Sequence, residues 1–310
     1  MMNIDQSAIL RVFEEYNEKR GDEFIFVRTD EPMSRHTTFR IGGPAALFIG
    51  VKDVDSLKYV LKYLNESEIR VFVLGRGSNV LFADKGFDGA VVSTTMLDGI
   101  TVDGTELTAG SGALVSNVAK KALESSLAGM EFLYGIPGTC GGAVFMNAGA
   151  YGGETAMILK ESSYLDLDDY QVKILMNEDH EFGYRRSVFR KTGRVILSST
   201  FSLEHGDMAE IGNRMKELMK KRLMKQPLDF PSAGSVFKRC EGRFTGQMIE
   251  EAGLKGTTVG GAQVSEKHAG FIINKGGATA SDVLELIDLV KKTVSRTHGA
   301  DLECEVIYVE

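Results

Sequence analysis

The sequence predicts an α+β fold, on three observations. Long amphipathic helical segments stand near both ends of the chain, short alternating apolar segments parted by turns fill its middle, and glycine-rich loops follow apolar strands. A chain of 310 residues, 43% of them hydrophobic, has room for two or three domains with separate cores.

The opening "MMNIDQSAILRVFEEYNEKRGDE" reads as an amphipathic helix. It lacks a basic start followed by an apolar run, and no apolar run elsewhere is long enough to span a bilayer, so a cytoplasmic protein is expected. "ALFIGV", Ala46 to Val51, reads as a strand. "DVDSLKYVLKYLNESE" then puts Val54, Leu57, Leu61 and Leu64 on one helical face behind an acidic cap. "RVFVLGRGSNVLF" is a buried strand running into a glycine turn. In the middle, "AVVST", "GITVDGTELTAGSG", "SSYLDLDDYQVKILMN" and "RVILSSTFSLEHG" alternate between DG, DD and HG turns, which predicts a mostly antiparallel sheet. Its clearest helix is "ALVSNVAKKALESS". Beyond a boundary near residue 202, "DMAEIGNRMKELMKKRLMK" and "SDVLELIDLVKKTVSRTHG" are helices, the second with Ser281 as its expected cap. "LECEVIYVE" closes the chain as a strand, with Glu305, Ile307 and Val309 on one face.

A formal charge of -7 argues against nucleic-acid binding over the whole surface and favours small-molecule chemistry. Cys140, Cys240 and Cys304 have no CxxC spacing and the five histidines no paired spacing, so neither disulfides nor a metal site is expected. The loops carry the chemistry. "GRGSN" follows "VFVL", and "GIPGTCGG" follows "MEFLY"; glycines let backbone N–H groups close around an anion, and two such loops suit a ligand with two phosphates. Tight turns without a ligand are the plain alternative. No GxxxxGK precedes a Ser or Thr, and Val80 occupies the third-glycine position of a Rossmann fingerprint, so the common nucleotide folds are disfavoured.

Seven unrelated motifs in order, "TTFRIGGPA", "GRGSNVLF", "GIPGTCGGAVFMNAGAYGGE", "YRRSVF", "AGSVFK", "AGLKG" and "LECEV", make the chain resemble the UDP-N-acetylenolpyruvoylglucosamine reductase (MurB) family from about Arg35 to Val309. The resemblance is to the compact form, without an extra tyrosine-bearing loop. It implies an FAD-binding domain of the vanillyl-alcohol-oxidase (PCMH) type in two lobes and a smaller α+β substrate domain. The expected division is 1–34 as lead-in, 35–202 for FAD with the lobes meeting near 90–100, and 203–310 for substrate. Noncovalent FAD, NADPH as reductant and enolpyruvyl-UDP-GlcNAc as substrate follow from the resemblance, with no metal, nucleic acid or membrane. Departures are Arg239 and Cys240 in place of a usual Asn-Pro pair, and Cys140 at a position more often aliphatic.

The resemblance also assigns residues. Arg185 matches the arginine that meets the substrate carboxylate, where a guanidinium fork suits two oxygens; the bland alternative is a surface salt bridge, a role that suits Arg186 better. Ser235 matches the proton donor, although a serine after glycine is otherwise a turn or a cap. Glu305 matches the glutamate that works with Arg185 on the enolic intermediate, a task suited to a protonated carboxyl. Cofactor contacts are expected at Arg40, Gly75, Gly77, Ser78, Asn79, Ile136, Pro137, Gly138, Thr139, Gly141, Gly142, Asn147, Ala148 and Gly149, and substrate contacts at Tyr184, Arg222, Gln226 and Lys238. Residues 214–243 hold nine basic against three acidic side chains, which suits an anionic ligand; a solvated helix face accounts for about half of the lysines. Two rivals are another FAD-dependent oxidase or dehydrogenase, and a silent nucleotide-sugar binding protein. The second predicts damage at Arg185, Ser235 or Glu305, all of which are intact.

Overall fold

The computed structural model describes residues 4–190, 193–240 and 242–310; Glu241, one of the acidic residues counted above, lies outside them. The chain divides into two compact units. The first holds the segment up to Thr29, Leu47–Arg76 and Gly89–Lys221, and the second holds Asp30–Ala46, Gly77–Asp88 and Arg222–Glu310.

In the first unit the helix Gln6–Arg20 starts where the Asp5 carboxylate accepts the N–H of Ala8 at 3.0 Å, and ends at Gly21 in the left-handed conformation. The helix Val54–Glu66 is capped in the same way by Asp53, which accepts from Ser56 N at 2.8 Å. Ile9 and Phe13 of the first helix, Leu57, Val60, Leu61 and Leu64 of the second, and Leu47, Ile49, Ala90 and Val92 from strands form one core. The five-stranded antiparallel sheet follows, in the order Val172–Met176, Leu159–Asp166, Arg194–Ser202, Glu106–Gly110, Ile100–Asp103. Strand alternation explains its position: Leu165, Val195 and Leu197 face the core just described, while Tyr164 and Ile196 enter a second core, which Phe201 joins beyond the register shift that exchanges the faces of its strand. That second core also takes Val115, Val118, Ala119 and Ala122 of the helix Val115–Glu124, and Cys140, Ala143 and Val144 of the short helix Cys140–Phe145.

The compact units cut the chain differently from the sequence-based division at 202/203. The helix Met208–Lys225 inserts Ile211 and Met215 into the second core, so its residues up to Lys221 belong with the first unit.

In the second unit an antiparallel sheet orders Ser232–Ser235, Phe271–Asn274, Ala262–Val264 and Thr258–Val259. The helix Ala280–His298 contributes Val283, Leu286, Ile287, Val290 and Val294 to a core completed by Phe39, Ile41 and Leu81 from the two earlier segments. Its N-cap is Thr279, in a reciprocal capping box with Asp282, and not Ser281. Ser281 lies within the first turn, where its N–H and hydroxyl both donate to Asp84, at 2.9 and 2.6 Å, beside the N–H of Ala280 at 2.7 Å. The closing strand is also shorter than expected. Only Ile307–Val309 is strand, paired in parallel with Val80–Phe82, because residues 303–305 are taken up by bonds to Val236 and Lys238.

Asp84 thus caps a helix nearly two hundred residues away in sequence. Burial opposes its ionisation, but the bonds from Ser281 and Ala280 outweigh it and hold its pKa below the ordinary value. Asp84→Ala is expected to cost about 1–2 kcal/mol, seen as a lower urea midpoint at unchanged slope. The stabilisation is present above the unfolded carboxylate pKa and lost as pH falls through the lower folded one, so the two proteins converge in stability in acid.

Candidate active site

The first glycine loop begins where the strand Val71–Leu74 ends. A Cβ on Gly75 would stand 2.3 Å from Thr139 Oγ1, so the second loop packs directly on the first at that point. Gly77 is buried with φ +66, and a Cβ there would lie 2.2 Å from the carbonyl oxygen of His36. Its own carbonyl accepts from Thr38 N at 3.1 Å. Asn79 ties the loop to the chain end: its Nδ2 donates to Glu305 O at 3.1 Å, and its carbonyl accepts from Ile307 N at 3.0 Å. Arg40 is exposed, in the left-handed region at φ 54.

In the second loop Ile136 N closes a turn on Leu133 O at 2.9 Å, and the chain passes Pro137 through a trans peptide to Thr139. Thr139 Oγ1 accepts from Gly142 N, starting the helix Cys140–Phe145. Cys140 N bonds Ala113 O at 2.7 Å and Gly141 N bonds Ser111 O at 2.9 Å, an approach so close that a Cβ on Gly141 would stand 2.8 Å from Ser111 Cβ. Burial pushes the Cys140 thiol up to about 12, so this cysteine serves as an apolar packing residue. Past the helix, Ala148 N bonds Ala143 O at 2.8 Å, and Gly149 pairs with Glu154 in a tight hairpin.

Both loops keep donors in reserve. Among the described residues the N–H groups of Gly77, Ser78, Gly138 and Thr139 donate to no protein acceptor. The hydroxyl of Ser111, 2% exposed and beside Gly141, is likewise without a protein partner. Buried polar groups left over in this way are what an anionic group satisfies, so each loop, taken by itself, fits a phosphate of a dinucleotide. Ser111 was missed from the sequence; its position between two glycines at a strand end, "AGSG", was the available signal.

Arg185 sits at the tip of a two-residue turn. Gly183 and Arg186 exchange backbone hydrogen bonds of 3.1 Å, with Tyr184 and Arg185 between them. Arg185 has φ +54, the slot that glycine fills in a type II turn, at a cost of about 1–2 kcal/mol for any other residue. Its guanidinium lies over the half-exposed Tyr184 ring at 5.1 Å. Behind the turn His180 is fully buried, stacked on Phe182 at 4.8 Å. Its Nδ1 donates to Met176 O at 2.7 Å, which leaves Nε2 to accept from the Ser162 hydroxyl at 2.9 Å. Burial lowers its pKa, so below about pH 6.5 the unfolded chain takes up a proton that the folded one refuses, and stability falls as pH drops. His268 is lowered by burial too and adds a term of the same sign. Urea unfolding of wild type and His180→Gln between pH 7 and pH 5 separates them: the variant is expected to show the flatter profile.

In the second unit the segments that carry Ser235 and Glu305, seventy residues apart in sequence, are joined backbone to backbone. Glu305 N donates to Val236 O at 2.7 Å and Lys238 N to Glu303 O at 2.9 Å, with Phe237 bridged to Cys304. Gly234, at φ +77, lies in an irregularity of the 232–235 strand just before Ser235 and turns the chain there. Ser235 is half-buried, and among the described residues its hydroxyl makes no hydrogen bond to the protein, so it is no cap. Glu303 faces solvent and binds Lys238 at 2.7 Å, a bond that lowers its own pKa. The Lys238 charge, expected to meet the substrate, is therefore partly spent on Glu303. Arg222 and Gln226 are half-buried, and the amide oxygen of Gln226 is buried without a donor. Within the basic run Arg214 and Lys221 both pair with Glu217, at 2.6 and 2.5 Å, so part of its charge is offset on the first unit's part of the helix.

Residues 45–168 match the model of an FAD binding domain, which makes this a flavoprotein by class. Residues 226–309 match the C-terminal domain of UDP-N-acetylenolpyruvoylglucosamine reductase. The reductase of that name from Clostridium perfringens is 48% identical over 280 residues, 90% of this chain and 92% of that one; the one from Clostridium novyi is 47% identical over 88% and 89%. The crystal structure of UDP-N-acetylenolpyruvylglucosamine reductase from Thermus caldophilus superposes with a TM-score of 0.79 at 33% identity, covering 92% of this chain and 100% of that one. The chain belongs to the UDP-N-acetylenolpyruvoylglucosamine reductase family. No helix among the described residues is long and apolar enough to cross a membrane.

Proposed function

We propose that this protein reduces the enolpyruvyl ether of UDP-GlcNAc to the lactyl ether, yielding UDP-N-acetylmuramate, with FAD as cofactor and NADPH as reductant. The observation that carries the reading is the Val236–Glu305 backbone bond, which joins the segment that follows Ser235 to the one that carries Glu305, in a member of this family. Bound FAD would supply the two-electron chemistry that links NADPH to the enolpyruvyl double bond. The chain supplies the rest. Arg185 meets the substrate carboxylate, on which negative charge grows as the terminal carbon is reduced. Ser235 gives its hydroxyl proton to the carbon next to that carboxylate and regains one from solvent; a hydroxyl free of protein acceptors is available for the task. Glu305 supports the developing charge from the adjacent segment. Gly75, Gly77, Ser78 and Gly138 to Gly142 hold the pyrophosphate, while Tyr184, Arg222, Gln226 and Lys238 line the nucleotide-sugar. The product is a cell-wall precursor, so the work belongs to the cytoplasm and supports cell shape and division.

A reaction run in deuterium oxide with unlabelled NADPH tests the proton step. One deuterium is expected at the carbon bearing the carboxylate, because the Ser235 hydroxyl exchanges with the solvent; protium at that carbon would reject a solvent-derived proton delivered there.

A further inference from the structure

The resemblance makes Asn147 a flavin contact, but its carboxamide is engaged elsewhere. The residue is 1% exposed; Nδ2 donates to Gly183 O at 3.2 Å, and Oδ1 accepts from Ala156 N at 2.9 Å. Gly183 is the first residue of the turn that presents Arg185. A turn with a non-glycine residue at positive φ persists when its surroundings over-determine it, and strain of this kind gathers at functional sites. Here two more tethers act from outside: the Ser187 hydroxyl donates to Phe145 O at 2.8 Å, and Arg190 Nη1 donates to Arg185 O at 2.9 Å. Phe145 and Asn147 both belong to the segment that leaves the second glycine loop, so that one segment props both sides of the turn.

We propose that Asn147 is a positioning residue for Arg185: by holding Gly183 it keeps the turn in the strained shape that presents the guanidinium to the substrate carboxylate. The proposal rests on the reading of Arg185 given above. It assigns Asn147 to the oxidative half of the cycle, when substrate is reduced, and not to reduction of the flavin. Asparagine suits the site twice over, because it also tolerates its own φ of +45.

The test uses FAD-loaded protein and follows the two half-reactions separately under anaerobic conditions. Asn147→Gly deletes the carboxamide while relieving the backbone, Asn147→Asp keeps the acceptor for Ala156 and loses the donor to Gly183, and Arg190→Ala removes the exposed tether. The Asn147 variants are expected to retain flavin and to be reduced by NADPH within about twofold of wild type, yet to be reoxidised by enolpyruvyl-UDP-GlcNAc about 10–100-fold more slowly. Calorimetry with UDP-N-acetylmuramate should show about tenfold weaker binding, and Arg190→Ala a smaller loss in the same half-reaction. On an Arg185→Ala background, Asn147→Gly should add little further loss. Equal slowing of both half-reactions or loss of flavin, with Arg190→Ala at the wild-type rate, would overturn the proposal. If Asn147→Gly does not fold, Asn147→Asp and Arg190→Ala decide, and wild-type reoxidation in both rejects it. Wild-type reoxidation in Arg185→Ala instead removes the reading of Arg185, and this proposal with it; slow reoxidation there beside normal Asn147 variants removes the positioning role alone.

Discussion

Ser235→Ala is expected to leave reduction of the flavin by NADPH within about twofold of wild type and to slow its reoxidation by the enolpyruvyl substrate by about 10²–10⁴-fold, the range of a positioned proton donor. The half-reactions separate because the hydroxyl has nothing to do until negative charge develops beside the substrate carboxylate. Ser235 caps no helix, and its hydroxyl is engaged by no protein group among the described residues, so the substitution should leave the fold and its thermal midpoint intact. Stopped-flow absorbance near the flavin maximum reads both steps in one sample. Normal reoxidation in Ser235→Ala would assign the proton to another group.

Gly77→Ala carries the largest expected structural effect. The new methyl group would lie 2.2 Å from the His36 carbonyl oxygen, against backbone that cannot rotate away, at a φ of +66 that already disfavours alanine. Left-handed strain and overpacking together come to about 2–5 kcal/mol. Loss of flavin should accompany the loss of stability, because Gly77 and Ser78 carry two of the loop's spare N–H donors. Gly104→Ala is the matched control. Gly104 has φ +57 and open space around it, so it incurs the strain of about 1–2 kcal/mol alone and should keep its flavin. The flavin-to-protein absorbance ratio and urea unfolding check both; equal behaviour of the two variants would show that close packing at Gly77 matters little.

Much of this was legible because it is local. The helix faces at Leu57, Leu61 and Leu64 and the middle strands follow from periodicity, and the glycines of both loops signalled close backbone approach. The misreadings are of two kinds. Thr279 and Asp282 form a capping box legible in their spacing, three residues apart, where the sequence reading puts the cap at Ser281. The rest is nonlocal. Asp84 capping the last helix, residues 303–305 engaged by Val236 and Lys238, and Asn147 reaching Gly183 depend on pairings between distant segments that no periodicity encodes. The boundary of the compact units near Lys221 also depends on such nonlocal packing, through Ile211 and Met215 in the second core.

The central claim is tested most directly by one anaerobic titration. The purified, flavin-loaded protein is bleached with one equivalent of NADPH, and enolpyruvyl-UDP-GlcNAc is then added in the absence of oxygen. Return of the yellow band, with one UDP-N-acetylmuramate formed per flavin, is the predicted result. A band that bleaches and stays bleached would contradict the account and leave a flavoprotein whose acceptor is another molecule.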